Sequence, residues 1–330
     1  MKSDADKYVA YAVSSLQKRR VLLFGLAFFL VLLLHNYVRM ISTVAYTYLY
    51  WLHPSLRFVS DGHVEHGKGV DQPVPKLLHQ TWKDTHVPEK WKKAQKSCID
   101  HHDDYEYKLW TDAEGLELIK TEYPWFLKTY LSYPYDIQRV DAVRYFILHK
   151  YGGIYIDLDV GCNQKLDFMR DADFTAPLTY PVGISNDIMS SVPGSRFLDR
   201  AIHRLEFWNH WLFIKYIQVM FGTGPMFLTC QFATGKSLVT NGVRIITAPL
   251  YGKYDFSGDP AFYHLHGSSW HANDAAFIFL IDTYKYHIII GACVVVCMFG
   301  YWHFVHKSRR HRLVMELPYV THHGEKPWDA

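Results

Sequence analysis

The stretch Tyr151-Gly152-Gly153-Ile154-Tyr155-Ile156-Asp157-Leu158-Asp159-Val160 decides the fold. Two glycines stop a helical pattern, strand-forming residues follow, and two carboxylates stand at the far end. Alternation along an extended chain predicts that Asp157 and Asp159 share one side, roughly 6 to 7 Å apart. Like charges so placed repel. A hard divalent ion such as Mn2+ or Mg2+ relieves that repulsion and leaves coordination positions open for phosphate oxygens. An acidic pair also marks strands that simply leave a core, so the flanking sequence has to decide between the two readings.

Working upstream, Asp136, Gln138, Arg139, Asp141 and Arg144 alternate with Ile137, Val140, Val143, Ile147 and Leu148 at helical spacing, and Gly152 is the stop. Asp141 and Arg144 are three apart and share a helix face. On a solvated surface such a pair contributes under about 1 kcal/mol. A helix that runs straight into an acidic strand end instead aims this face at the carboxylates.

The order Asp141, Arg144, then Tyr151 to Asp159 resembles the sugar-nucleotide-binding signature of glycosyltransferase family 32. Pro75 to Trp82, the run Ile184-Ser185-Asn186-Asp187, the turn Thr223-Gly224-Pro225 and the segment Ser268 to His271 are similar to that family's other motifs. Within the family, the likeness is to fungal mannosyl-inositol-phosphoceramide synthase catalytic subunits. It implies an α/β, GT-A-like domain with a mostly parallel sheet flanked by helices, and a metal-dependent, retaining transfer of mannose from GDP-mannose to inositol phosphoceramide. It assigns Asp159 to the metal directly, Asp157 to metal, ribose and sugar, Arg144 to the leaving charge and Asp141 to sugar hydroxyls. Trp82, Tyr155, Asn186, Ser269 and Trp270 join Asp141, Arg144 and Asp157 as candidate donor-binding residues. His264, His266 and His271 are candidates to complete the metal site, and spacing does not choose among them. Three histidines could also suit zinc, but no thiol lies near them in sequence, and carboxylates with diphosphate favour a harder ion.

The chain has 330 residues, 49% of them apolar and 16% aromatic, enough for one sizeable core with apolar surface left over. Its net charge of +3 is local, and no basic face suggests nucleic acid. The tail 1–20 ends in Lys18-Arg19-Arg20, and residues 21–40 give the length of a membrane span if Arg39 reaches the far interface. A second span is expected over 287–305, followed by the basic tail 306–330. Positive charge outside both spans puts both ends in the cytosol. The linker 41–73 and the catalytic region 74–283 then fall in the lumen of the Golgi or the endoplasmic reticulum. Of the five cysteines, Cys293 and Cys297 fall in the second span. Cys98, Cys162 and Cys230 fall in the lumenal part and allow at most one disulfide.

Within that region a strand is expected over 74–80, a helix over 89–100, a strand over 105–110, a helix capped by Asp112 and running through Glu122, and a strand over 174–184. Alternation of this kind predicts a doubly wound sheet. Residues 196–221 carry Phe197, Phe207, Trp208, Trp211, Phe213, Tyr216 and Phe221, which read either as core or as a surface lying in a bilayer interface. A domain tied to the membrane at both ends suits a lipid acceptor. The other readings are a hexosyltransferase acting on N-glycan chains, an Asp-x-Asp phosphohydrolase, and a membrane scaffold with a degenerate site. The resemblance also implies a regulatory membrane subunit.

Overall fold

The computed structural model describes residues 4–51, 73–180, 183–235, 242–255 and 257–265, together with scattered positions between Thr283 and Tyr301. Two compact units, Met1–Trp270 and His271–Ala330, divide the chain. In the second, the described positions are helical, and the tail 306–330 lies outside the described residues.

The first unit opens with α1 (Asp4–Trp51). Among the described residues no single helix is long and apolar enough to cross a membrane. The limbs Leu16–Leu30 and Leu34–Leu49 of α1 reach the necessary length and composition only together, with a bend of 61°. Val21, Leu22, Phe24 and Phe28 on the first limb are exposed, whereas Met40 and Thr47 on the second are buried. The bend falls inside the span expected over 21–40, and Met40 at its end packs on protein. The helix continues through the first residues of the linker expected from 41, as far as Trp51; residues 52–72 lie outside the described residues.

A sheet and its flanking helices follow: β1 (Leu77–Trp82), α2 (Glu89–His101), β2 (Glu106–Thr111), α3 (Asp112–Glu122), α4 (Leu127–Ser132), α5 (Asp136–Tyr151), β3 (Gly153–Ile156), β4 (Val160–Cys162), β5 (Phe174–Pro177) and β6 (Ile188–Ser191). The remainder is α6 (Arg196–Ile202), α7 (Leu205–Trp208), α8 (Lys215–Gly222), α9 (Pro225–Thr234), β7 (Val243–Ile246), α10 (Ala248–Tyr251) and β8 (Phe262–His264). The main sheet has the order β2-β1-β3-β6-β5-β7, and β4 pairs separately with β8. β6 runs antiparallel to both β3 and β5, while the other pairings in the main sheet are parallel. The sheet is thus mostly parallel, as expected, with one reversed strand, β6. β3 and β6 are buried along their whole length, Ser190 and Ser191 of β6 included.

Two local differences from expectation matter for the site. Thr111, not Asp112, caps α3: its hydroxyl accepts from the Glu114 N–H, and Glu114 reaches back to the Thr111 N–H. The aromatic stretch 196–221 breaks into three short helices. Phe197 and Trp208 from it enter the core, and Trp211 and Phe213 stay outside. Phe213 has φ +63, and the Ile214 N–H donates to Leu212 O across it at 2.6 Å. A tight turn of this hand at a non-glycine residue is strained by about 1–3 kcal/mol.

Candidate active site

α5 ends at Gly152 with φ +66, where its N–H still donates to Leu148 O. A Cβ there would come within 2.6 Å of Pro193 Cδ. At Gly153, with φ +92, one would come within 2.7 Å of Leu77 O. Glycine is required at both positions because the helix reverses directly into a strand wedged between β1 and β6. His79 on β1 fixes this corner. Its Nδ1 accepts from Trp110 Nε1 at 3.1 Å, so Nε2 is the protonated nitrogen and donates to Gly152 O at 3.0 Å.

β3 stops at Ile156, earlier than the alternation argument requires. Asp157, Leu158 and Asp159 form a turn closed by the Val160 N–H on Asp157 O at 3.0 Å. The expectation of two carboxylates on one strand face is therefore corrected to two carboxylates on a turn. That turn is held from both sides: the Asp157 N–H donates to Asp187 O, and the Leu265 N–H donates to Asp159 O, each at 2.8 Å.

Arg144 spans the gap from α5 to the turn. Its Nη2 lies 3.1 Å from Asp141 Oδ1 and its Nη1 3.1 Å from Asp157 Oδ1, and Nη1 also donates to Asn186 O at 2.9 Å. The guanidinium sits 4.8 Å over the Tyr155 ring. Burial alone would disfavour its charge, but Asp157 and its other neighbours hold the pKa above the ordinary arginine value. Tyr155 donates its hydroxyl to Asp157 Oδ1 at 2.7 Å and bonds Thr81 Oγ1 at 2.8 Å.

Asp141 is buried behind this layer. It accepts from Asn186 Nδ2 at 3.0 Å and from the Thr223 hydroxyl at 3.2 Å, in addition to Arg144. Asn186 also donates to the Tyr145 hydroxyl at 3.0 Å. Both side chains thus make hydrogen bonds inside the protein, and both residues contact Arg144. Burial pushes the Asp141 carboxyl up to about 6 despite Arg144.

Asp159 makes no ion pair among the described residues. Burial, with Asp157 and Asp187 close by, pushes its carboxyl up to about 7. Asp187 was not singled out from the sequence. It accepts from the Tyr251 hydroxyl at 2.5 Å and from Lys253 Nζ at 2.9 Å through Oδ2, and its buried Oδ1 has no hydrogen-bond partner among the described residues. Burial would raise its pKa, but Lys253, His264 and Tyr251 more than offset that and leave it below the usual carboxylate range. His264 stacks edge-on against Tyr251 and bonds Tyr251 O through Nε2 at 3.1 Å, which commits that nitrogen. His266, Ser269, Trp270 and His271 lie outside the described residues.

These groups stand at a cavity of about 520 Å³ whose walls include Trp82, Trp91, Tyr135, Arg144, Asp157, Asp159 and Lys215. Trp82 packs with Val87, Trp91 and Leu158, and its buried indole N–H lacks a partner among the described residues. It is a donor ready for an acceptor on a bound molecule. Among the described residues Asp141 and Asp157 pair with Arg144 and Asp187 pairs with Lys253, which leaves Asp159 as the carboxyl without a cation partner. Among the described residues no three metal-ligating side chains converge. Two carboxylates on an open turn nevertheless fit an ion that takes its remaining ligands from a diphosphate and water.

A sequence model described as "Glycosyltransferase sugar-binding region containing DXD motif" matches residues 88–175, the segment that holds Arg144, Asp157 and Asp159. Inositol phosphoceramide mannosyltransferase 3 of Schizosaccharomyces pombe is 44% identical over 238 residues, 69% of this chain and 66% of that protein. Inositol phosphoceramide mannosyltransferase 1 of the same organism is 39% identical over 253 residues, 74% of this chain and 77% of its own. This chain therefore spans about two thirds of the length of the first relative and more of the second. Among solved structures, the PaToxG glycosyltransferase covers 63% of this chain and 82% of its own at 14% identity, with a TM-score of 0.38. The chain belongs to the inositol phosphoceramide mannosyltransferases, a family of DXD-motif glycosyltransferases.

Proposed function

We propose that this mannosyltransferase moves mannose from GDP-mannose to the inositol headgroup of inositol phosphoceramide, a step of sphingolipid synthesis. The observation that carries the reading is the Arg144 bridge: a buried guanidinium fixed beside Asp157 and the Asp159 turn, at the wall of a cavity that can hold a nucleotide sugar. Asp157 and Asp159 would hold Mn2+ or Mg2+. A bound ion supplies Lewis-acid neutralisation of the charge that appears on the departing diphosphate.

This chain's own residues do the rest. Arg144 offers a fixed positive charge to the leaving group at no reorganisation cost, because Asp141, Asn186 and Tyr155 already hold its plane. Trp82 presents a broad aromatic face and a free N–H to the nucleotide. With Asp157 and Asp159 given to the metal, attack on the same face as the departing phosphate gives the retained configuration of the family. The setting is a Golgi or endoplasmic reticulum membrane, crossed near residues 21–40 and 287–305 with both termini cytosolic. A regulatory membrane subunit is part of the same reading.

The test incubates the purified full chain and Mn2+ with inositol phosphoceramide and either GDP-mannose or UDP-galactose, and weighs the lipid. A hexose gained from GDP-mannose and lost on chelation is the expected result. A hexose gained only from the UDP sugar overturns the donor, and donor hydrolysis with no glycolipid overturns the acceptor.

A further inference from the structure

The segment Trp211 to Lys215 joins two features that the catalytic turn does not use. Trp211 is 60% exposed and Phe213 76% exposed, with their rings 4.1 Å apart. Phe213 is the non-glycine residue with positive φ among the described residues, and the turn through it directs a large apolar ring outward. A core-seeking aromatic would not need that conformation. The segment is fastened to α1: the Tyr37 hydroxyl donates to Trp211 O at 3.3 Å, the Tyr37 ring lies 5.4 Å from His210, and Arg39 lies 4.8 Å over Phe207. The preceding limb of the same helix carries the exposed apolar residues Val21 to Leu30. Two residues beyond Phe213, Lys215 opens α8 and lines the cavity that holds Asp157 and Asp159. Its ammonium sits 5.5 Å over the Tyr135 ring and pairs with no described carboxylate.

We propose that Trp211–Lys215 is the acceptor clamp: Trp211 and Phe213 seat in the headgroup region of a bilayer, and Lys215 binds the phosphodiester that joins the acceptor's headgroup to its lipid. This rests on the reading of the acceptor as an anionic membrane lipid. Continuity with the apolar limb of α1 selects a bilayer as occupant, since amphipathic aromatic rings concentrate at that depth. An anionic phosphodiester at the same depth is within the chemistry of a cation on a cavity wall a few residues away. The strained turn is explained by the same arrangement, because it holds the ring outward before the bilayer is met.

The test uses the full chain in three assays. In proteoliposomes of brominated phosphatidylcholine, wild-type tryptophan emission should lose a quenched component that Trp211→Ser lacks; equal quenching in both proteins overturns the bilayer contact whatever the acceptor is. With inositol phosphoceramide in vesicles, W211S/F213S should raise the acceptor KM about tenfold. With a water-soluble inositol phosphodiester carrying a short chain, the same variant should match wild type, and equal losses on both acceptors overturn the clamp. Lys215→Met should raise KM for both phosphodiesters about tenfold and leave the KM of GDP-mannose unchanged. A raised donor KM instead assigns Lys215 to the nucleotide and overturns the proposal. Failure of wild type to glycosylate either inositol lipid would count against the acceptor reading itself, and the quenching assay still decides the bilayer contact.

Discussion

The guanidinium of Arg144 joins the helix before the catalytic corner to the turn after it, with Nη1 3.1 Å from Asp157 Oδ1. Its other arm holds Asp141, so one planar group keeps two carboxylates of separate elements in register. A lysine carries the charge but not the fork. Arg144→Lys should lower kcat about 10²- to 10³-fold, the scale of losing one preorganised charge stabiliser, with little change in thermal unfolding. Arg144→Met should also destabilise by about 3–5 kcal/mol, because two inward-facing carboxylates lose their partner. Equal unfolding temperatures for the two variants would contradict this.

Asp159 titrates near 7 in the protein without metal, well above an unfolded aspartate. Its folded pKa is raised, so its contribution to stability is complete below about pH 4 and is lost as pH rises through 7. Mn2+ competes with that proton. The rise in Tm on adding Mn2+ should therefore be large at pH 8 and small at pH 5.5, and Asp159→Asn should remove the difference. A gain independent of pH would exclude Asp159 as the group that meets the ion.

His79 shows the opposite sign. Burial lowers its pKa to about 4. The folded value lies below the unfolded 6.5, so the stability due to neutral His79 is full above 6.5 and drains as pH falls toward 4, by about 3 kcal/mol in all. In urea unfolding, the gap between wild type and His79→Gln should narrow across that window. A constant gap would mean that the ring does not titrate with folding.

Cys98 on α2 is disulfide-bonded to Cys162 on β4, 64 residues apart in sequence. Cys98, Cys162 and Cys230 allow at most one disulfide, and Cys230 is left buried as a thiol. Cys98→Ala/Cys162→Ala should cost about 2–4 kcal/mol, measurable as a fall in the denaturant midpoint. Because β4 directly follows the Asp159 turn, Mn2+ affinity should fall as well. Unchanged affinity would show that the turn is held by β3, Asp187 and Leu265 alone.

The catalytic corner was legible in sequence because each of its parts has a local signal. Helical spacing gave residues 136–151, the glycine pair gave the stop, and the acids marked the site. What sequence could not place were partners brought in from a distance. Thr223 reaches Asp141 from 82 residues away and Lys253 reaches Asp187 from 66, and nothing in either short segment announces a carboxylate. The reversed strand β6 escaped for a related reason: four residues, two of them serines, carry no signal of which way a strand runs. The break-up of 196–221 was also hidden, since helical periodicity continues through the turn at Phe213 even though the backbone does not.

Met40 and Thr47 settle how the body of the protein is carried. Both are buried, and the Thr47 hydroxyl lies 3.5 Å from Cys230 Sγ on α9. The second limb of the N-terminal helix is therefore a strut bolted to the body and not a leash. A leashed enzyme samples a hemisphere of headings before it meets a target. If the first limb stands in a bilayer, as proposed above, this body keeps a single altitude and heading, productive encounters depend on sideways drift in two dimensions, and lengthening the segment after Trp51 would not widen its reach.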